Sequence, residues 1–128
     1  MRALSRIITV PVDGKPTDFR LTKLDAFSGV FLLRLLAKLP GEDVSAEALL
    51  SCLPDADLRT LMTVCLEHTE VLLPAGWNPV MTRGEWSYPE LAHDTAVCLK
   101  LCIEEVLWTM EGFFGERAPS PLGGAPAS

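Results

Sequence analysis

The apolar positions of this chain first alternate, then fall into helical spacing, and the switch comes near residue 22. Ile7-Ile-Thr-Val-Pro-Val12 is rich in β-branched residues, and Thr17-Asp-Phe-Arg-Leu-Thr22 alternates polar and apolar. Asp13-Gly14 lies between them, a strong turn signal because the favoured two-residue hairpin needs positive φ at both central positions. The pattern predicts a β-hairpin over residues 6–22, with Pro11 and Pro16 where no ladder donor is required. Thr22-Lys-Leu-Asp25 has the form of a capping box, and a Leu-rich helix follows it to Leu39, ahead of Pro40-Gly41. A second helix is expected over Ala46–Leu53, capped by Ser45 and ended by Pro54. A third runs from Ala56 to His68 behind Asp55, with Leu58, Leu61, Met62, Cys65 and Leu66 on one face.

Residues 70–88 break the helical pattern. Val71-Leu-Leu73 is a short strand candidate, and Pro74, Gly76, Pro79 and Gly84 exclude a helix. Arg83-Gly84 is placed to turn a small hairpin between Val80-Met81 and Trp86. Ser87-Tyr-Pro-Glu90 is a second capping-box pattern, and a last helix is expected from Pro89 to Phe113. Together these elements predict a mainly α fold: an N-terminal β-hairpin followed by a small bundle of about four helices, the C-terminal one long. Residues 1–117 read as a single helical domain carrying that hairpin. Residues 118–128, Ala-Pro-Ser-Pro-Leu-Gly-Gly-Ala-Pro-Ala-Ser, read as a disordered tail with too little apolar bulk to offset the entropy of ordering.

Composition narrows the function. The chain has 128 residues, 48% of them hydrophobic and 22% charged, which suits one globular domain. Its net charge of −6 opposes binding to nucleic-acid phosphates or to an anionic membrane. Apolar runs are short (Val30 to Leu33 ends at Arg34), whereas a membrane helix needs about 20 apolar residues. The start, Met1 to Pro11, is too short and too polar for a signal peptide. The 4 cysteines follow no framework spacing and read as reduced thiols.

Catalytic patterns are missing from the sequence. It has no Gly-rich phosphate loop, no Gly-x-Ser-x-Gly elbow and no His-Glu-x-x-His, and only 2 histidines, His68 and His93. Glu104-Glu105 reads as a solvated helix face, since adjacent helical residues point about 100° apart. His93-Asp94 reads as helix capping. Cys65-x-x-His68 and Cys98-x-x-x-Cys102 each have one-face spacing, and four such ligands suit zinc in principle. The spacings of known fingers and ribbons are absent, however, and cysteine packs in apolar stripes as a small hydrophobe. The expectation is therefore no catalytic residue, no cofactor and no metal.

The anomaly is the first helix. Projected at about 100° per residue, residues 23–39 leave a polar arc only ~60° wide, formed by Lys23, Arg34 and Lys38. Phe27 falls inside that arc, and Val30 and Phe31 border it. Most of the remaining ring is leucine. Such a helix is either central in its own core or covered by something else, a partner or a second copy of the chain. On the second reading Lys23, Phe27, Val30, Phe31, Arg34 and Lys38 form a partner-binding stripe.

Several segments carry a family resemblance. Phe19-Arg-Leu-Thr-Lys-Leu-Asp-Ala26 before the Leu-rich helix, Leu73-Pro-Ala-Gly-Trp-Asn-Pro-Val80 and Tyr88-Pro-Glu-Leu-Ala-His-Asp94 resemble the tail assembly chaperones of long-tailed bacteriophages. The most specific stretch is Val106-Leu-Trp-Thr-Met-Glu-Gly-Phe-Phe-Gly115, similar to a family ending of Trp-Asn-Leu-x-Gly-Phe-Phe, with Thr109 and Met110 in place of Asn-Leu. The resemblance spans about residues 7–115. It implies a non-catalytic role: coating the long tape-measure protein in the host cytoplasm until tube subunits polymerise around it, then leaving before the virion is complete. It also implies the tail tube protein as a second partner. Two other readings fit the sequence: a structural tail-completion or tube-associated virion protein, and a small acidic inhibitor of a host enzyme. The second sits poorly with carboxylates scattered singly among lysines and arginines.

Overall fold

The computed structural model describes residues 4–39 and 45–117, with side chains through Glu111. Its elements, in chain order, are β1 (Ser5–Val12), β2 (Lys15–Thr22), α1 (Ala26–Leu36), α2 (Ala46–Cys52), α3 (Asp55–Glu67), β3 (Thr69–Leu73), β4 (Gly76–Pro79), β5 (Met81–Thr82), β6 (Glu85–Trp86) and α4 (Thr95–Arg117). A single 3-10 turn, Pro89–Leu91, precedes α4. The tail at 118–128 and the Pro40-Gly41 segment lie outside the described residues.

The fold is not the mainly α bundle that the sequence predicts. Four antiparallel strands form one sheet in the order β1-β2-β3-β4, and the helices back it, which is an α+β arrangement. The hairpin expected over residues 6–22 forms, with Val12 opposite Lys15 and Ser5 opposite Thr22. It is the first half of a larger sheet and not an appendage on a bundle. Phe19, Arg20 and Leu21 of β2 pair with Val71, Glu70 and Thr69 of β3. The chain then turns at Pro74-Ala75, and β4 pairs back on β3 from Gly76 to Pro79. The strand expected at Val71–Leu73 forms as β3, but its pairing with β2, some fifty positions away, leaves no local signal, and Gly76 and Pro79 disguise β4 as a loop.

Local chemistry explains the elements. Asp13 and Gly14 have φ of 52° and 77°, the left-handed pair that a two-residue hairpin demands. Pro11 faces Pro16 across the hairpin. Ladder bonds alternate from the closing pair Val12–Lys15, so this next pair is a non-bonded one, and neither proline removes a needed donor. Asp25, not Thr22, caps α1: its carboxylate accepts from the Ser28 N–H at 3.2 Å. Hydrogen bonding with the Ser28 side chain, and then this backbone bond, holds the Asp25 carboxyl below its usual range. Ser45 caps α2 by accepting from the Ala48 N–H at 3.1 Å. Asp94 accepts from the Val97 N–H at 3.2 Å, so α4 starts later than the Ser87–Glu90 pattern predicts. Arg83-Gly84 turns the small β5–β6 hairpin, and Glu67 of α3 pins it by accepting from the Gly84 N–H at 2.7 Å.

The core fills the space between sheet and helices. Val10, Val12, Phe19, Leu21 and Val71 point into it from the strands, and Leu32, Leu49, Leu61, Leu66, Leu101 and Val106 meet them from the four helices. The alternate strand residues face away. On that outer side Thr9 donates to Asp18 at 2.7 Å, and Arg20 pairs with Glu70 at 2.7 Å beneath the Trp77 ring. Ile7 and Leu72 stay exposed there, so among the described residues the sheet has one covered face and one open face.

Candidate functional site

Helix α1 divides cleanly around its circumference. Leu32, Leu35 and Leu36 are buried, as is Leu39 just past the helix end. At about 100° per residue the three buried leucines within the helix centre on one direction, and Phe27, Val30 and Arg34 centre on the opposite one; Lys23, expected in the same stripe, lies ahead of the helix. Phe27 is 88% exposed and Val30 57% exposed. A fully exposed phenylalanine beside an exposed valine leaves on the order of 3–6 kcal/mol of transfer free energy unrealised in the free chain. The helix is therefore neither central in the core nor polar on its outer side.

The other members of the expected stripe differ from these two. Phe31 is half-buried and packs against the core, as does Leu33 on the other flank. Phe31 therefore serves stability as well as any contact. Arg34 is exposed. Lys38, beyond the helix end, is exposed too and forms an ion pair with Asp57 of α3. Lys23 is half-buried, and its ammonium lies 5.5 Å from the centre of the Trp108 ring of α4. Arg6 of β1 lies over the same indole at 5.8 Å and reaches Glu104 at 3.8 Å. Sequence reasoning places Lys23 in the stripe but misses Arg6 and Trp108. Nothing local could reveal that β1 and α4 cross at this point.

Glu105 overturns its sequence reading. It is not on a solvated face: its exposure is 0%, and neither carboxylate oxygen has a hydrogen-bond partner among the described residues. Burial pushes its pKa up to about 8, against the opposing pull of Arg6 and Lys23. The carboxyl is therefore neutral in the folded protein at neutral pH.

The cysteines and histidines sit apart from this face. The Cys65 thiol points at the Cys102 carbonyl at 3.9 Å, and the Cys102 thiol points at the Met62 carbonyl at 3.9 Å. Cys98 donates to the Leu91 carbonyl at 3.3 Å. His68 uses Nδ1 on the Val64 carbonyl at 2.8 Å, and its Nε2 is 3.6 Å from Asp25. His93 is exposed beside the capping Asp94. Among the described residues no three His, Cys, Asp or Glu side chains converge on a point that could hold a metal ion. No described helix is long and apolar enough to cross a membrane.

A concavity of about 400 Å³ lies between α3 and the β5–β6 hairpin, lined by Leu58, Met62, Met81 and Trp86 together with Asp55, Arg59 and Thr63. No family model, no curated protein and no solved structure matches the chain.

Proposed function

We propose that this chain is a binding protein without catalytic activity, a tail assembly chaperone of a long-tailed phage that holds the tape-measure protein in the host cytoplasm. One observation carries the reading: the row Phe27, Val30 and Arg34 on the outer side of α1, with Phe27 88% exposed. Apolar side chains presented at i and i+3, with an arginine at i+7, suit the grooves and ridges of an amphipathic partner helix. A tape measure is a long helical chain whose apolar faces are uncovered until the tube closes around them. Covering such a face with Phe27 and Val30 removes apolar surface from water on both molecules. On this reading the tail tube protein displaces the chaperone, which then stays out of the finished particle.

Co-expression with the tape-measure protein tests the reading. The wild-type chain should co-purify with it, and Phe27→Asp should lose it while remaining folded by circular dichroism. Truncating a central aromatic anchor weakens binding by about 2 kcal/mol or more, roughly thirtyfold. A folded Phe27→Asp variant that still binds would move the interface elsewhere. Mass spectrometry of purified particles separates a chaperone, which is absent, from a structural tail component, which is retained.

A further inference from the structure

Glu105 is an acid in the core with nothing to hold its charge. It is fully buried, and neither carboxylate oxygen meets a hydrogen-bond donor among the described residues. Native proteins rarely keep a buried polar group in that condition, because its desolvation goes uncompensated. Trp108 stands one turn further along α4 and on the same side, since residues three apart are neighbours on a helix surface. Two cations lie over its indole, Arg6 of β1 at 5.8 Å and Lys23 at 5.5 Å from the ring centre. These are also the two charges that favour the ionised form of Glu105. The buried acid and the cations able to answer it therefore meet at one crossing, with the cations engaged on the ring.

We propose that this crossing is a proton-driven switch: when Glu105 is ionised, Arg6 and Lys23 leave the indole for its carboxylate, and Trp108 turns out into solvent. The proton goes to water, so no other reactant is needed. A cation over a ring at a partly exposed site is held weakly, whereas an ion pair with a desolvated carboxylate is strong, and the exchange follows that difference. Burial keeps the carboxyl neutral up to about pH 8, and that value sets where the switch turns.

The surrounding groups permit the exchange. Arg6 also reaches Glu104 at 3.8 Å, but Lys100 approaches the same carboxylate at 3.5 Å, so Glu104 keeps a cation when Arg6 moves. From α3 the titratable neighbour is Cys65, whose thiol points at the Cys102 carbonyl and stays protonated. His68, at the end of α3, is engaged by the Val64 carbonyl and lies 3.6 Å from Asp25. The sheet presents Phe19, Leu21 and Val71 to the core, none of which carries a charge.

Fluorine NMR of the full chain labelled with fluorotryptophan tests the switch. The 3 tryptophans give separate signals, and Trp108→Phe identifies the one that matters. Its solvent isotope shift, which reports contact with water, should grow with a midpoint at about pH 8. The Trp77 and Trp86 signals and the circular dichroism should hold steady meanwhile. Glu105→Gln should keep Trp108 in its low-pH state throughout. Lys23→Met, which removes the charge and keeps the stem, should move the midpoint upward, and it serves as the test if Glu105→Gln misfolds. A Trp108 signal that ignores pH, or that responds equally in Glu105→Gln, would overturn the switch. So would a joint shift of all three signals with loss of helix, because ionisation would then unfold the protein as a whole.

Discussion

Glu105 is the residue whose state most depends on the fold. Its carboxyl titrates near 4.5 in the unfolded chain and near 8 in the folded one, because burial penalises the charge. The neutral form is thus favoured by folding. Its stabilising contribution is fully present below pH 4.5 and is lost progressively as pH rises through about 8. At pH 7 that loss is on the order of 3 kcal/mol. Glu105→Gln, which keeps the shape and removes the proton, should raise the melting temperature at pH 7–8 and match wild type near pH 4. A parallel pair of stability-against-pH curves would show that Glu105 is solvated after all. The thiols depend on burial in the same way. Hydrogen bonding with Cys102, then burial, pushes the Cys65 thiol well above its ordinary value, and burial raises Cys98 to about 12. Thiolate is the reactive form. Iodoacetamide at pH 8 should therefore label Cys52 first and leave Cys65 and Cys98 unmodified until the protein unfolds, as peptide mass mapping would show. Cysteine burial was legible from the apolar neighbours Val64, Leu66, Val97 and Leu99. Burial of Glu105 was not, since a charged pair in mid-helix looks like solvated surface until the crossing of β1 over α4 is known.

At the scale of elements, α1 makes the sharpest division between stability and binding. Phe27 and Phe31 are one turn apart and alike in sequence, yet Phe27 is 88% exposed and Phe31 packs against the core. Phe27→Asp should change folding free energy by no more than about 0.5 kcal/mol, as surface substitutions do. Phe31→Asp buries part of a charge and removes aromatic packing, so it should cost on the order of 1–3 kcal/mol in urea titrations. Equal costs would mean that the two rings share one environment. The helix pattern itself predicted which arc holds Phe27, Val30 and Arg34, because a 3.6-residue period maps residues to directions without knowledge of the neighbours, but it also carried Lys23 onto that arc, and Lys23 lies ahead of the helix. Whether that arc faced solvent or another element was beyond it. The start of α1 was misjudged for a related reason. Thr22 and Asp25 both have capping side chains, and Thr22 is held in β2, where its N–H donates to the His68 carbonyl at 2.8 Å. The strand claims the first candidate, and Asp25 is left to cap.

For the whole molecule, the sheet decides how the chain behaves as a unit. The local signals, Asp13-Gly14 and the alternation in Thr17–Thr22, were enough to find β1 and β2. The pairing of β2 with β3 is a long-range event, and its loop-closure entropy must be offset by contacts that form only when the helices dock. Phe19 stands at that junction. It lies opposite Ile8 on one side and Val71 on the other, with 0% exposure. Phe19→Ala would leave a cavity between sheet and helices and should cost about 3–5 kcal/mol. Because β2 links the hairpin to β3, and α3 and α4 pack on each other behind it, that loss should be felt by strands and helices together. Urea unfolding followed by circular dichroism at 222 nm and by tryptophan fluorescence should give coincident transitions in wild type. Both should shift to lower denaturant in Phe19→Ala, with the slope unchanged. Tryptophan fluorescence reports on β4 through Trp77, on β6 through Trp86 and on α4 through Trp108. If fluorescence moved and the helical signal did not, the sheet would be a separate cooperative unit. The helices would then form a bundle stable without it, as the sequence alone suggests.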